Sequence, residues 1–501
     1  MHDRLFLKCI ICVLFLSSNL ARAQEVNLIK ADIDTEHPEQ IIEGFGASDA
    51  WSCQFAGLWP EDKRAKMADL LFSTKMDKAG QPIGIGLNFW RFGIGAGSAE
   101  QGKESNIADP WRRQASFLKL DGTYNDQAMS GNLWFLNAAK TRGVKNFVGF
   151  INSPHVRFTL NKKAYSSDGL CNLDFDKLDA FCEDITKQIK LIKEKMGIEL
   201  NNISPINEPQ WKWNEHSQEG CPYTNTEIVR LVNALSKALA VHGLATKIQL
   251  AEAGQLDFLY DNANSLKGYQ VNSFFNPSSE NYIGGLGNVD KSISGHSYFT
   301  TSPEQRAIKI RSSVAAEVAK IKGLRYWMSE YCILGDSLMK GEGRDLTIDP
   351  ALFIAKVIHN DLSVSNASTW QWWLSISPND YKDGLIYIDK KQVNGNVYES
   401  KMLWVLGNYS RFIPAGSVRV PVHCNADNDV LISSYIHKGK LITVVVNTRA
   451  KDVIVSLSCK GRKFKKAIAY TTSSALNLSP SYSDTNEINV PARSVKTIIN
   501  D

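Results

Sequence analysis

At 501 residues the chain is longer than one hydrophobic core usually serves, so a large domain with a smaller companion is expected. Its 43% hydrophobic and 22% charged content is that of an ordinary globular protein and excludes a disordered or fibrous chain. The formal charge of +5 contains no block of Lys and Arg denser than Lys460 to Lys466, which excludes a surface built to track nucleic-acid phosphates.

The chain opens on Arg4 and Lys8, an apolar run from Cys9 to Leu16, and Ala21-Arg22-Ala23, the pattern of a secretory signal cut before Gln24. Its loss leaves 54 basic against 51 acidic residues. No other stretch reaches the ~18 apolar residues of a membrane span, so residues 1–23 are expected to direct export to the periplasm or beyond, without an anchor. Seven cysteines then remain, with no C-x-x-C pair, which supports neither a disulfide framework nor a zinc site. Cys171 and Cys221 could bridge in an oxidising compartment.

Residues 24–40 begin with a β-like run, Val26 to Asp34. Eight further short runs follow at the pace of a strand-helix repeat: Ile41 to Ser48, Gly86 to Ile94, Asn146 to Ser153, Ile203 to Glu208, Lys247 to Gly254, Ser292 to Tyr298, Arg325 to Tyr331 and Ala367 to Trp373. Between them lie helical segments: Glu61 to Phe72, Asp174 to Met196, Thr226 to Val241, Pro303 to Lys322 and Pro350 to Ser363. In the second, Leu178, Phe181, Ile185, Ile189, Ile192 and Met196 recur at steps of three or four. The pattern predicts an α/β fold, a (β/α)8 TIM barrel over residues 41–415.

After a last helix, Ser400 to Tyr409, the periodicity changes to short β-branched runs: Val430 to His437, Leu441 to Asn447, Val453 to Ser458, Lys466 to Thr472 and Ser494 to Ile499. Residues 416–501 are therefore expected to form an antiparallel β-sandwich side domain, joined by the N-terminal strand.

On a parallel barrel the side chains at the C-terminal strand ends converge on one face. Those residues are polar and aromatic here: Ser48, Asp49, Trp51, Arg91, Asn152, Ser153, His155, Asn207, Glu208, Glu252, His296, Tyr298, Glu330, Tyr331, Gln371 and Trp372. Glu208 in Asn207-Glu208-Pro209 ends the fourth strand and Glu330 in Ser329-Glu330-Tyr331 ends the seventh, on opposing sides of a barrel. Glycoside cleavage needs one carboxyl held protonated for the leaving oxygen and another ionised opposite it, roughly 5 Å away in a retaining enzyme. Glu252 is expected to support the site through hydrogen bonds.

At Glu43-Gly44-Phe45-Gly46-Ala47-Ser48, Asn207-Glu208-Pro209, Ser329-Glu330, Trp370-Gln371-Trp372-Trp373 and Leu406 to Pro414 the chain resembles glycoside hydrolase family 30. The resemblance implies double displacement, with Glu208 as acid/base, Glu330 as nucleophile, Asn207 on the sugar 2-hydroxyl and Arg91 holding Glu330 ionised. Tyr298 would bond the nucleophile, and His296, Asp49, Trp51 and His155 would line the site. Trp372 is the expected sugar platform, with Trp370 and Trp373 packing, while Trp211 and Trp213 could extend the cleft. No metal or cofactor is expected, and the partner is a β-linked polysaccharide acted on by a monomer. The start from Gly44 to Ala50 looks most like the β-1,6-galactanase branch; β-1,6-glucan and xylan stay open, as does a carbohydrate-binding barrel without turnover. Glucuronoxylan fits poorly, because Ser375 to Asp389 offers Lys382 but no arginine for a uronic acid.

Overall fold

A computed structural model of the chain describes residues 28–500 apart from 265, 336, 337 and 465; the predicted signal lies outside the described residues. Eight parallel strands close into a barrel: β1 Gly44–Ser48, β2 Phe89–Gly93, β3 Asn146–Phe150, β4 Asn202–Ser204, β5 Lys247–Ala253, β6 Val289–His296, β7 Arg325–Tyr331 and β8 Ala367–Trp372. Helices follow them in turn: α1 Glu61–Phe72, α2 Ser130–Thr141, α3 Leu178–Met196, α4 Asn225–Val241, the short α5 Gln270–Phe275, α6 Glu304–Ala319, α7 Ile348–Ser363 and α8 Lys401–Ser410.

The alternation of strand side chains decides what each layer contains. On β2, Trp90 turns outward against Phe72 of α1 and Phe135 of α2, with ring centroids 4.8 and 6.4 Å away. Phe89 and Arg91 turn inward; Phe89 meets Trp327 edge-on at 5.6 Å in the barrel floor, and Arg91 lies one layer higher. The stripe expected on α3 is buried at Phe181, Ile185, Ile189 and Ile192. At the start of α4, Thr224 and Glu227 form a reciprocal capping box, which fixes where the loop after β4 ends.

Beyond the barrel, a seven-stranded sheet runs in the order Ile41–Ile42, Ser417–Val420, Val430–His437, Lys440–Asn447, Ser494–Asn500, Ala467–Thr472 and Ser479–Ser483. A four-stranded sheet of Val422–Cys424, Leu28–Ile33, Val453–Cys459 and Glu487–Val490 faces it. Leu441 and Val445 point into the sandwich core, whereas Ile442, Val444 and Val446 on the same strand join the core shared with the barrel. The N-terminal strand pairs in parallel with Val453–Cys459 and antiparallel with Val422–Cys424, so the side domain is not wholly antiparallel.

The stretch expected as one barrel strand, Ile41 to Ser48, is two. Ile41 and Ile42 pair with Val418 and Ser417 in the side sheet, and the chain enters the barrel at Gly44. Gly44 has φ +148°, and a Cβ there would collide with the Asn88 side chain, so the change of sheet requires glycine.

Candidate active site

At the C-terminal mouth of the barrel, two cations meet three carboxyl groups. Arg91 donates to Glu330 Oε2 and, through its other terminal nitrogen, to Asn207 Oδ1 at 2.9 Å, with Glu252 Oε2 at 3.5 Å. Phe150 lies under its guanidinium at 4.1 Å. His296 bridges Glu208 Oε1 at 2.8 Å and Glu252 Oε2 at 2.9 Å, and its Nδ1 stands 3.7 Å from Glu330 Oε1. Tyr298 donates to Glu330 Oε1 at 3.0 Å. Ser204 and Ser329 donate to Glu252 at 3.0 and 2.6 Å, so this carboxylate is saturated by protein donors. Carboxyl oxygens of Glu208 and Glu330 lie within 4.8 Å of each other.

Local irregularities aim these groups. The register of β7 shifts against both β6 and β8 between Met328 and Tyr331, a bulge that lets consecutive residues Ser329 and Glu330 both reach the interior. Glu208 (φ +46°), Glu252 (φ +51°), Trp51 (φ +59°), Trp213 (φ +49°) and Phe299 (φ +58°) hold left-handed backbone that costs of order 1 kcal/mol or more apiece in residues other than glycine. Their concentration around one cleft, held by bonds such as Glu208 N–H to Glu252 O at 2.8 Å, marks it as the place where strain is retained.

The buried cluster separates its carboxyls electrically. Burial pushes the Glu208 carboxyl above the usual carboxylate range, with the Glu330 charge acting the same way and His296 opposing. Burial pushes Glu252 up too, but Arg91, His296 and Ser329 outweigh it and bring it down to about 2. Burial disfavours the His296 cation, yet Glu330, Glu208 and Glu252 together raise it to about 10. Glu208, His296 and Glu330 have ligand-type atoms close enough to surround a metal ion, but a protonated imidazole donating at both nitrogens offers it no lone pair.

Above the cluster opens a cleft of about 870 Å³. Asn207, Glu208, Tyr298 and Glu330 line it, together with Trp51, Trp373, the loop from Gln210 to Gln218, Phe299 and Leu334. Trp51 is pinned edge-on to Trp373 at 5.1 Å, and the Arg112 guanidinium covers its ring at 4.3 Å.

Three expected lining residues are elsewhere. Trp372 is wholly buried and donates to Asp383 O at 2.8 Å. It shares the outward parity of Trp370, whose indole reaches Asp361 on α7 at 2.9 Å, so the next residue, Trp373, turns to the cleft. Asp49 accepts from Gly93 N–H at 2.7 Å and from Asn132 at 3.0 Å, tying β1 to β2 and α2, and burial raises its carboxyl to about 7. His155 is buried beside Gly97 and caps its own 3₁₀ turn at Arg157 N–H, 3.3 Å away. Lys382 is consumed by the carbonyls of Glu342 and Gly343 at 2.7 and 3.1 Å.

Sequence reasoning missed Arg112, Phe299, Tyr381 and Asp383 in the lining. Phe299, following the polar end of β6, had a usable signal: a large apolar residue straight after His296-Ser297-Tyr298, and it is 44% exposed.

A model of O-glycosyl hydrolase family 30 matches residues 28–387. An endo-β-1,6-galactanase of Hypocrea rufa is 23% identical over 432 residues, 82% of this chain and 80% of that one. Among solved structures, a conserved exported protein from Bacteroides fragilis is 32% identical, with a TM-score of 0.88 over 94% of this chain and 99% of that one. The catalytic domain of a family 30 xylanase C from Talaromyces cellulolyticus is 22% identical, with a TM-score of 0.68 over 94% of this chain and 100% of that one.

Proposed function

The chain belongs to O-glycosyl hydrolase family 30 and is a glycosidase; from that premise we propose that it is an exported, retaining β-glycosidase acting on β-1,6-galactan. The observation that carries the mechanism is the pair of carboxyls within 4.8 Å, a spacing that suits a covalent intermediate and leaves little room for the water of an inverting enzyme. Glu330 attacks the anomeric carbon, while Arg91, Tyr298 and Asn207 orient the nucleophile and the sugar. Glu208 protonates the leaving oxygen and then, deprotonated, takes a proton from the water that releases the sugar. Charge supports that division: two cations against three carboxyls are balanced when Glu252 and Glu330 are ionised and Glu208 carries the proton. Asn207 accepts from Arg91, which leaves its Nδ2 to donate to a sugar hydroxyl.

The galactan assignment rests on the Hypocrea rufa relative and on the sequence from Gly44 to Ala50. Export rests on the residue 1–23 pattern and the exported Bacteroides fragilis neighbour; no helix among the described residues is long and apolar enough to cross a membrane.

Azide rescue tests the roles. With an activated aryl β-galactoside, Glu208→Ala should accumulate the intermediate, and azide should then restore turnover and give the β-glycosyl azide. Glu330→Ala with azide should give the α product. The reverse stereochemistry would show that the two roles are exchanged. Digestion of β-1,6-galactan, β-1,6-glucan and xylan, with product identification, tests the substrate; preferential release from glucan or xylan would overturn the galactan assignment.

A further inference from the structure

We infer that Cys171 and Cys221 are joined by a disulfide in the exported protein, fastening the loop after β4 to the loop after β3 at the rim of the cleft. The inference rests on the export proposed above.

Cys171 and Cys221 are free thiols whose side chains neighbour each other. Cys221 Sγ also accepts from the Asn172 N–H at 3.4 Å, which places it against the backbone next to Cys171. Other bonds set the register of the two loops around them: Gly220 N–H to Ala164 O at 2.8 Å, and Ser166 N–H to Trp213 O at 3.0 Å. The two side chains are therefore brought together by segments whose register other bonds already set, as a bridge between them requires. Cys53, Cys332 and Cys459 contact the hydroxyls of Ser375, Tyr298 and Thr35, at 3.9, 3.9 and 3.8 Å, and Cys459 also donates to Lys460 O at 3.8 Å.

The loop so fastened supplies Gln210 to Gln218 to the cleft wall. Asn214 to Ser217 are exposed, so little apolar burial holds that wall from within. A bond closing the chain from 171 to 221 would limit the open conformations of the loop. Cys171 is half-buried and Cys221 fully buried, which sets the order of reaction. The Cys171 thiolate attacks the disulfide of an oxidising thiol oxidoreductase or of a small-molecule disulfide, expelling one thiolate. Cys221 then displaces the second sulfur; the Sγ–Sγ bond forms, and the two electrons and two protons leave on the reduced oxidant.

The test uses the full chain secreted by a host with an oxidising periplasm, unfolded and alkylated without reductant, digested and weighed. The Cys171 and Cys221 peptides should be recovered joined, two hydrogens lighter than the reduced pair, with the remaining mature cysteines alkylated. Limited proteolysis gives the second reading. Reductant should speed cutting within residues 209–223 on the order of tenfold, and Cys171→Ser should be cut at that faster rate with or without reductant, while hydrolysing an aryl glycoside like wild type. Both thiols alkylated in a chain that begins at Gln24 would overturn the cross-link, as would cutting indifferent to reductant. A chain that keeps residues 1–23 in the cytoplasm would remove the premise, and the inference with it.

Discussion

Two of the arginines buried in this molecule, Arg311 and Arg91, have different surroundings. Arg311 on α6 faces one carboxylate, Asp361, at 2.7 Å, and spends its remaining donors on Thr300 O, Ala307 O and Ser297 Oγ. Arg91 faces two carboxylates and an amide, shares its cluster with a second cation, and leaves Nε without a partner. Saturation by one acid and by backbone carbonyls makes a rivet between helix and barrel. A surplus of acids held by too few cations keeps one carboxyl protonated, which a glycosidase needs and a rivet does not.

The largest effect expected is on Glu330. Glu330→Ala should lower kcat at least ~10⁴-fold on every substrate, activated ones included, because no covalent intermediate can form. Loss confined to poor leaving groups would contradict the assignment. The arginines themselves come next. Arg91→Met should cost ~10²- to 10³-fold in kcat per folded molecule. Arg311→Met should cost about 3–5 kcal/mol in denaturant unfolding, with the activity of the folded fraction within about twofold of wild type. Equal activity losses in the two variants would erase the distinction.

The pH profile sharpens it further. In the proposed mechanism Glu208 works protonated, so activity should be present below its pKa and lost as pH rises through it. His296 pulls that pKa down by hydrogen bond and charge; His296→Gln should therefore move the alkaline limb of kcat/KM upward. A limb that stays or moves down would show that His296 does not set the proton affinity of Glu208. The smallest contrast lies between adjacent tryptophans. Both are buried, so each change to Ala should destabilise the fold by about 3–5 kcal/mol, but only Trp373→Ala, which removes part of the cleft lining, should also raise KM for polysaccharide in the folded fraction, about tenfold.

The barrel was legible because each strand ends in polar residues and most of the helices between them carry an apolar stripe, as α3 does with Phe181, Ile185, Ile189 and Ile192, although α2 and α5 were not foreseen. Which polar residues serve the cleft was less legible. Asp49 satisfies backbone and amide donors that close the barrel, a use that leaves no mark in composition. The choice between Trp372 and Trp373 depends on strand parity, and the β7 bulge that presents Glu330 depends on pairing with both neighbours. In the side domain, Ser417–Val420, Val422–Cys424, Ser479–Ser483 and Glu487–Val490 went unpredicted, being too short or too polar to alternate visibly.

The N-terminal strand imposes an order of events on the ribosome. Leu28–Ile33 is made first, yet its partners Val422–Cys424 and Val453–Cys459 come near the end of the chain. At ~5–20 residues per second, synthesis leaves that strand without either partner for roughly 20–80 s, a bare hydrogen-bonding edge through most of the chain's elongation. The sandwich is thus the last part able to close, and a nascent chain stalled within it would carry a complete set of barrel strands beside an open β-edge. That edge is where a holdase would be expected to bind, and where premature termination would make the product sticky rather than merely short.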